Sequence, residues 1–175
     1  MMFVAARDDD LPRIVSLMNR AYRGAGSSAG WNTEAGYIAG DRTTEALLRT
    51  EVAEKPDGSL LKYEDCSGIL RACVWLEPLG EGGWYLGSLA IDPDLQNAGL
   101  GRSLLAAAEH WIAEKGGARV RMSVVNVREA LIAWYLRRGY RSTGETIAFP
   151  YGDNRFGTPL RDDLCFVVLE KALTA

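Results

Sequence analysis

The sequence predicts an α/β fold, a mixed and twisted β-sheet of about six to seven strands with helices on both faces. Three observations carry that prediction. Residues 84–91 are apolar on both alternating sets, as in a strand covered on both sides. They run through a short loop with Gly99 and Gly101 into a segment whose Leu100, Leu104, Ala107, Ala108, Trp111 and Ile112 share one side of a 3.6-residue period. A second apolar stretch, 120–125, follows the Gly116-Gly117 stop. Strand, helix, strand within one sheet demands parallel pairing through a right-handed crossover.

The remaining elements follow in chain order. Residues 3–6 read as a short strand. Asp8, Asp9 and Asp10 are expected to cap a helix in which Leu11, Ile14, Val15, Met18 and Tyr22 recur at helical spacing, with Pro12 tolerated in the first turn. Residues 24–30, rich in Gly and Ser, form a loop too short to link domains and suited to a mobile edge. Helices are expected near 33–38 and over 43–53, the second with Leu47, Leu48 and Val52 as its apolar stripe. Residues 59–64 and 69–77 read as strands joined at Asp65-Cys66-Ser67-Gly68, and the second turns back through 77–83 to pair with 84–91. A helix carrying Val127, Leu131 and Tyr135 precedes two late strands, and the connection 150–159 between them is long for a hairpin.

Composition fits one domain spanning 1–175. With 47% hydrophobic and 25% charged residues, this is the make-up of an ordinary globular chain. A domain of this length buries roughly 70% of the surface that its unfolded chain exposes. The formal net charge of −3 argues against binding nucleic-acid backbone. No apolar run approaches the roughly 18–20 residues that cross a bilayer, and residues 1–10 lack the apolar centre of a signal peptide, so a cytoplasmic protein without membrane partners is expected. Cys66, Cys73 and Cys165 are odd in number and lack C-x-x-C spacing, which suits buried or partly buried free thiols. His110 falls opposite the apolar face of its helix and should meet solvent. One histidine and no clustered ligands give no metal site.

The loop after residue 91 carries the chemistry. Glycine at 99 and 101 removes Cβ atoms that would hold a ligand off the main chain, and the first helical amides have no internal partner. A pyrophosphate at that helix start gains roughly 0.3–1 kcal/mol from the macrodipole, and Arg102 adds a cation. An ordinary tight strand-to-helix turn is the competing reading. Two other phosphate motifs are excluded, since Leu104 stands where a dinucleotide fingerprint has its third glycine and no Gly-Lys-Ser/Thr follows.

What remains, Gln96-Asn97-Ala98-Gly99-Leu100-Gly101, resembles the acyl-CoA pyrophosphate loop of the GNAT family of N-acetyltransferases. Leu89-Ala90-Ile91-Asp92-Pro93 is similar to the strand end before that loop. Trp134-Tyr135-Leu136-Arg137-Arg138-Gly139-Tyr140 resembles the family's Tyr-x-x-x-Gly-aromatic segment, and residues 163–171 its last strand. The core of the resemblance covers about 84–140. One departure stands out: where the family often has Asn seven residues before its Tyr, this chain has Arg128, with Asn126 nine before.

The resemblance implies acetyl-CoA as cosubstrate, no metal, and acetyl transfer to a primary amine by direct attack in a ternary complex. It implies a pyrophosphate on the amides of Gln96, Asn97, Ala98, Gly99, Leu100, Gly101, Arg102 and Ser103. The pantetheine arm would pair with the backbone of Leu89 and Ile91, and an amide near Leu89 or Ala90 would serve the oxyanion. Asn126 is a further candidate from its strand end. Gly87-Ser88 would supply a bulge that splays the two parallel strands. Tyr135 would donate a proton to the departing thiolate, with core packing as its other reading.

The acceptor amine must lose its proton before attack. A lysine-like amine near pKa 10.4 spends roughly 4–5 kcal/mol on this at pH 7, an α-amino group near 8 only about 1. Glu34 is the candidate base at the acceptor side, against a reading as a solvated carboxylate starting a helix. Glu77 is rejected because it sits beside Trp84, five residues and roughly 16 Å from Leu89. Residues 150–159, with two aromatics and a cation, either wall the acceptor pocket or form a homodimer contact. A noncatalytic acyl-CoA sensor and a transferase for longer acyl chains are the alternative functions.

Overall fold

The computed structural model describes residues 2–24, 30–95 and 99–173. In chain order the elements are β1 (Val4–Ala5), α1 (Leu11–Arg23), β2 (Ile38–Ala39), α2 (Glu45–Glu54), β3 (Ser59–Glu64), β4 (Leu70–Gly80) and β5 (Gly83–Ile91). Then come α3 (Leu100–Glu114), β6 (Arg119–Val125), α4 (Glu129–Leu136), β7 (Arg141–Ala148), β8 (Thr158–Pro159) and β9 (Cys165–Ala172). Among the described residues, seven strands make one mixed sheet in the order β1-β3-β4-β5-β6-β9-β7, and β2 with β8 makes a separate ribbon. The architecture is α/β, with the strand count and the parallel β5–β6 crossover that the sequence predicts.

Period-2 alternation along the central strands divides the core between the two faces. Ala72, Val74 and Leu76 of β4 pack with Leu104, Ala108 and Ile112 of α3 and Leu131 and Tyr135 of α4. Cys73 points the other way, against Ile14, Leu17 and Met18 of α1 and Leu48 of α2, and Leu70 joins that side because the β3–β4 register shifts between Tyr63 and Glu64. The turn from α3 to β6 is sterically closed around glycine. A Cβ on Gly117 would lie 2.2 Å from Cγ2 of Ile112 and 2.7 Å from Cδ1 of Trp84.

Two expectations change. Residues 33–38 form turns that end in β2, not a helix, because Ile38 pairs with Pro159 and buries itself against Val125 and Leu164. The aspartates before α1 do not cap it through a side chain. They form a short 3-10 turn, and Asp10 is buried, accepting from Arg7 N at 2.9 Å and from Lys62 Nζ at 2.7 Å. Of the cysteines, Cys73 is buried and Cys165 half-buried, while Cys66 is exposed in the β3–β4 turn, contrary to the expectation for all three. His110 meets solvent as expected. The Gly/Ser-rich stretch 25–29 lies outside the described residues.

The feature that makes a site is a fork between β5 and β6. Their parallel ladder holds only Gly83↔Arg119, Trp84↔Val120 and Tyr85↔Arg121, after which β5 runs on to Ile91 along β4 and β6 to Val125 along β9 without pairing to each other. A bulge drives them apart. Cys73 and Trp75 of β4 face Ala90 and Gly87, so Ser88 and Leu89 together oppose Val74. Ser88 takes the left-handed region at φ 49°, a conformation rare for a residue with a Cβ. Tyr22 of α1 donates to the Leu89 carbonyl at 3.3 Å and anchors the bulge from the helix side.

Candidate active site

Two cavities open along this fork and share six wall residues: Tyr22, Asn32, Leu89, Arg128, Leu131 and Tyr135. The first, of about 450 Å³, runs past Ile91, Gly99, Gly101 and Arg102 at the start of α3 to Trp134 on α4 and to Arg137 and Arg138 just beyond its end. Among the described residues its charged wall residues are Arg102, Arg128, Arg137 and Arg138, with no carboxylate. The second, of about 480 Å³, lies towards α1, α2 and the 150–159 segment, with Pro150, Arg155 and Phe156 in its wall.

The two glycines at the start of α3 do different work. Gly99 is the N-cap at φ 73°, ψ 0°, with open space where a Cβ would stand, so its conformation is what requires glycine. Gly101 is held by packing, since a Cβ there would lie 3.3 Å from Cδ1 of Ile91 and 3.4 Å from Cζ2 of Trp134. The first turn closes with Arg102 N and Ser103 N donating to the Gly99 carbonyl. The amides of Leu100 and Gly101 are left without intrahelical partners beside the arginine-lined wall. Leu100, Ser103 and Ala90 are not wall residues of either cavity, whereas Leu89, Ile91, Gly99, Gly101 and Arg102 are. Gln96, Asn97 and Ala98 lie outside the described residues.

Arg138 stacks on Trp134, its guanidinium carbon 3.5 Å from the ring centroid, and donates to the Trp134 carbonyl at 2.7 Å. Burial and the neighbouring Arg137 and Arg102 hold it below the usual arginine range. An anionic, phosphate-bearing ligand fits this wall: bare helix amides, three clustered arginines at one end, and apolar Ile91 and Leu89 beyond them.

Tyr135 is 7% exposed, with its ring edge-on to Trp134 at 5.0 Å and to Tyr140 at 5.5 Å. Burial pushes its hydroxyl up to about 12 despite the pull of Arg128, so it keeps its proton at neutral pH. Glu34 is neither solvated nor on a helix. It is 5% exposed, with Oε1 taking Arg128 Nη1 at 3.0 Å and Oε2 lying 3.5 Å from Arg23 Nη2. Arg128, the residue that departs from the family pattern, also donates to the Asn32 carbonyl at 2.6 Å. Asn126 is occupied elsewhere: its Nδ2 donates to the Asp163 carbonyl and its Oδ1 accepts from Cys165 N, both at 3.0 Å, which ties the end of β6 to the start of β9. Glu77 is held by Lys55 at 2.7 Å and by the Trp75 indole at 3.2 Å.

Sequence reasoning missed Arg23 and Arg42 as cavity residues, and named Arg128 only as a departure. Charge alone does not separate them from surface arginines; only the fold brings Arg128 to Glu34, 94 residues away. Arg137-Arg138 had a readable signal, two cations at a helix C-terminus just before Gly139.

The profile of the acetyltransferase (GNAT) family matches residues 12–140. Two curated relatives are mycothiol acetyltransferases. That of Saccharopolyspora erythraea is 33% identical over 133 residues, covering 73% of this chain and 39% of the relative. That of Clavibacter sepedonicus is 33% identical over 110 residues, covering 62% and 36%. The chain thus spans less than two fifths of the length of these relatives. Among solved structures, the PaiA N-acetyltransferase of Thermoplasma acidophilum in complex with coenzyme A superimposes with a TM-score of 0.70 at 16% identity, over 98% of both chains. Profile, relatives and forked sheet agree, and the chain belongs to the GNAT acetyltransferase family.

Proposed function

We propose that this chain is an N-acetyltransferase that moves the acetyl group of acetyl-CoA to a primary amine by direct attack, with both substrates bound together. The observation that carries this is the meeting of two cavities at Tyr135 and Leu89, one with an all-arginine charged wall and one without. Acetyl-CoA supplies an activated acetyl group, and the chain supplies binding and charge. Leu100 and Gly101 amides with Arg102 would hold its pyrophosphate, with Gln96, Asn97, Ala98 and Ser103 completing the loop; Arg137 and Arg138 add cations beside it. The splayed edge of β5 at Leu89 and Ile91 would receive the pantetheine arm as an added strand. A main-chain amide at the bulge would stabilise the oxyanion.

Tyr135 faces the departing sulfur. A hydroxyl near pKa 12 gives its proton fully to an ordinary thiolate, near 8.5, only at a cost of about 4–5 kcal/mol. Donation of a strong hydrogen bond is therefore its main contribution, with full transfer no longer uphill once burial lifts the thiol as well. Burial has that effect on Cys73, pushed up to about 12 in this same protein. Glu34, with both oxygens on guanidinium groups, is better suited to positioning Arg128 and Arg23 than to removing a proton. The three free thiols fit a reducing, cytoplasmic setting.

The test is isothermal titration with acetyl-CoA followed by thiol detection across a panel of amines. Binding with thiol release and an acetylated amine is the expected result. Binding without release from any amine identifies an acyl-CoA sensor, release only with longer acyl-CoA identifies a different acyl donor, and no binding removes the proposal.

A further inference from the structure

Resting on that reading, the walls of the second cavity go further and point to the chemical class of the acceptor. Arg23, Arg42 and Arg128 all line it; Arg23 and Arg128 share one carboxylate, Glu34, within ion-pair reach, and Arg42 pairs with none among the described residues. Arg23 is a deeply buried cation, its side chain 7% exposed. Nη2 of Arg23 donates to the Phe156 carbonyl at 2.6 Å, but its Nε and Nη1 are fully buried without a hydrogen-bond partner among the described residues. Nη1 of Arg42 is in the same state, as is the hydroxyl of Tyr37 nearby. The guanidinium carbon of Arg42 lies 5.6 Å from the Tyr22 ring centroid and 5.1 Å from that of Phe156, and Arg42 makes no ion pair among the described residues.

A buried donor left unpaired forfeits its hydration with nothing in return, and a guanidinium forfeits more than a neutral group. Burial, with the neighbouring Arg42 cation adding to it, holds Arg23 below the usual arginine range even with Glu34 beside it. With the Glu34 carboxylate already divided between Arg23 and Arg128, Arg42 is left one oxyanion short. Glu51 and Glu54 of α2 also line the cavity, alongside Lys55 and Arg155, and neither reaches Arg23 or Arg42 with an ion pair. A planar guanidinium fork beside aromatic rings suits a carboxylate, which accepts two parallel N–H bonds from one fork.

We propose that the acceptor is a small molecule carrying both a primary amine and a carboxylate, an amino acid in chemical type, whose carboxylate is received by Arg42 and Arg23 while its amine faces Tyr135 and Leu89. An α-amino group also needs less free energy to lose its proton than a lysine side chain does.

The experiment compares initial rates on matched pairs, each free amino acid against its own carboxamide, together with an aliphatic diamine. The expected result is a preference of at least tenfold in kcat/KM for the free acids. In Arg42→Gln that preference should shrink towards one through a raised acceptor KM, with the KM for acetyl-CoA within twofold of wild type. Arg42→Lys, which keeps the charge but loses the fork, should recover only part of it. Equal or better turnover of carboxamides or the diamine by the wild-type protein overturns the proposal, as does an undiminished preference in folded Arg42→Gln. Titration with N-acetyl amino acids reads the anion site without chemistry. If no amine is acetylated, carboxylate binding that is lost in Arg42→Gln keeps the anion site while the transferase reading fails, and no binding removes both.

Discussion

Tyr135 shows how one side chain serves packing and chemistry together. Its ring fills the core between Trp134 and Tyr140 while the residue stands in the wall common to both cavities. Tyr135→Phe keeps the ring and removes the hydroxyl. Rapid-quench or steady-state rates should show kcat lowered about 100-fold, the scale of a single general acid, with the KM for acetyl-CoA little changed. An unchanged kcat leaves the tyrosine as core alone. At this scale the sequence was a partial guide. The family-like motif singled out Tyr135, yet nothing local marked Arg42 or Arg23, because their meaning comes from what the fold buries around them. Asn126 was readable as a strand-end polar group but not as the clamp on β9, since its partners lie 37 and 39 residues onward.

At the scale of elements, glycine marks where helix and strand come closest. The stop at Gly116-Gly117 contains two different constraints. Gly116 sits at φ 80° with no atom where a Cβ would go, whereas at Gly117 a Cβ would also lie 2.9 Å from the Ile112 carbonyl. Gly117→Ala should therefore destabilise by about 1–3 kcal/mol through forced overpacking. Gly116→Ala should cost only about 1–2 kcal/mol of backbone strain. Urea unfolding of the two variants checks the order. The elements with strong periodicity, α3, β5 and β6, were legible because their burial is set by neighbours close in sequence. The stretch 33–38 misled because its strand partner is about 120 residues away, and local propensity does not report such pairing.

For the whole molecule, acid stability rests on a buried junction at the edge of the sheet. Asp10 ties the start of α1 to β3 through Lys62 and to its own helix through Arg13, both at 2.7 Å. Burial pushes its carboxyl up, but hydrogen bonds from Lys62, Arg7 N and Arg13 outweigh that and lower it from 3.8 to about 2. A folded-state value below the unfolded one gives stability that is fully present above pH 4 and is lost as pH falls towards 2. Melting temperatures between pH 5 and 2 should drop more steeply for the wild type than for Asp10→Asn, which starts lower and depends less on acid. A matching slope in both would assign the acid sensitivity to other groups.

The unzipped seam between β5 and β6 has a consequence for how the protein behaves when its cosubstrate is scarce. Unpaired strand edges usually invite another chain to dock, but this one is interior, flanked by β4 on one side and β9 on the other. Under the proposed function, the thioester's arm acts as a removable eighth strand, and loading the enzyme completes the architecture as well as arming it. Starved protein would then be a structure with a missing rung, kept from self-association by where the gap lies.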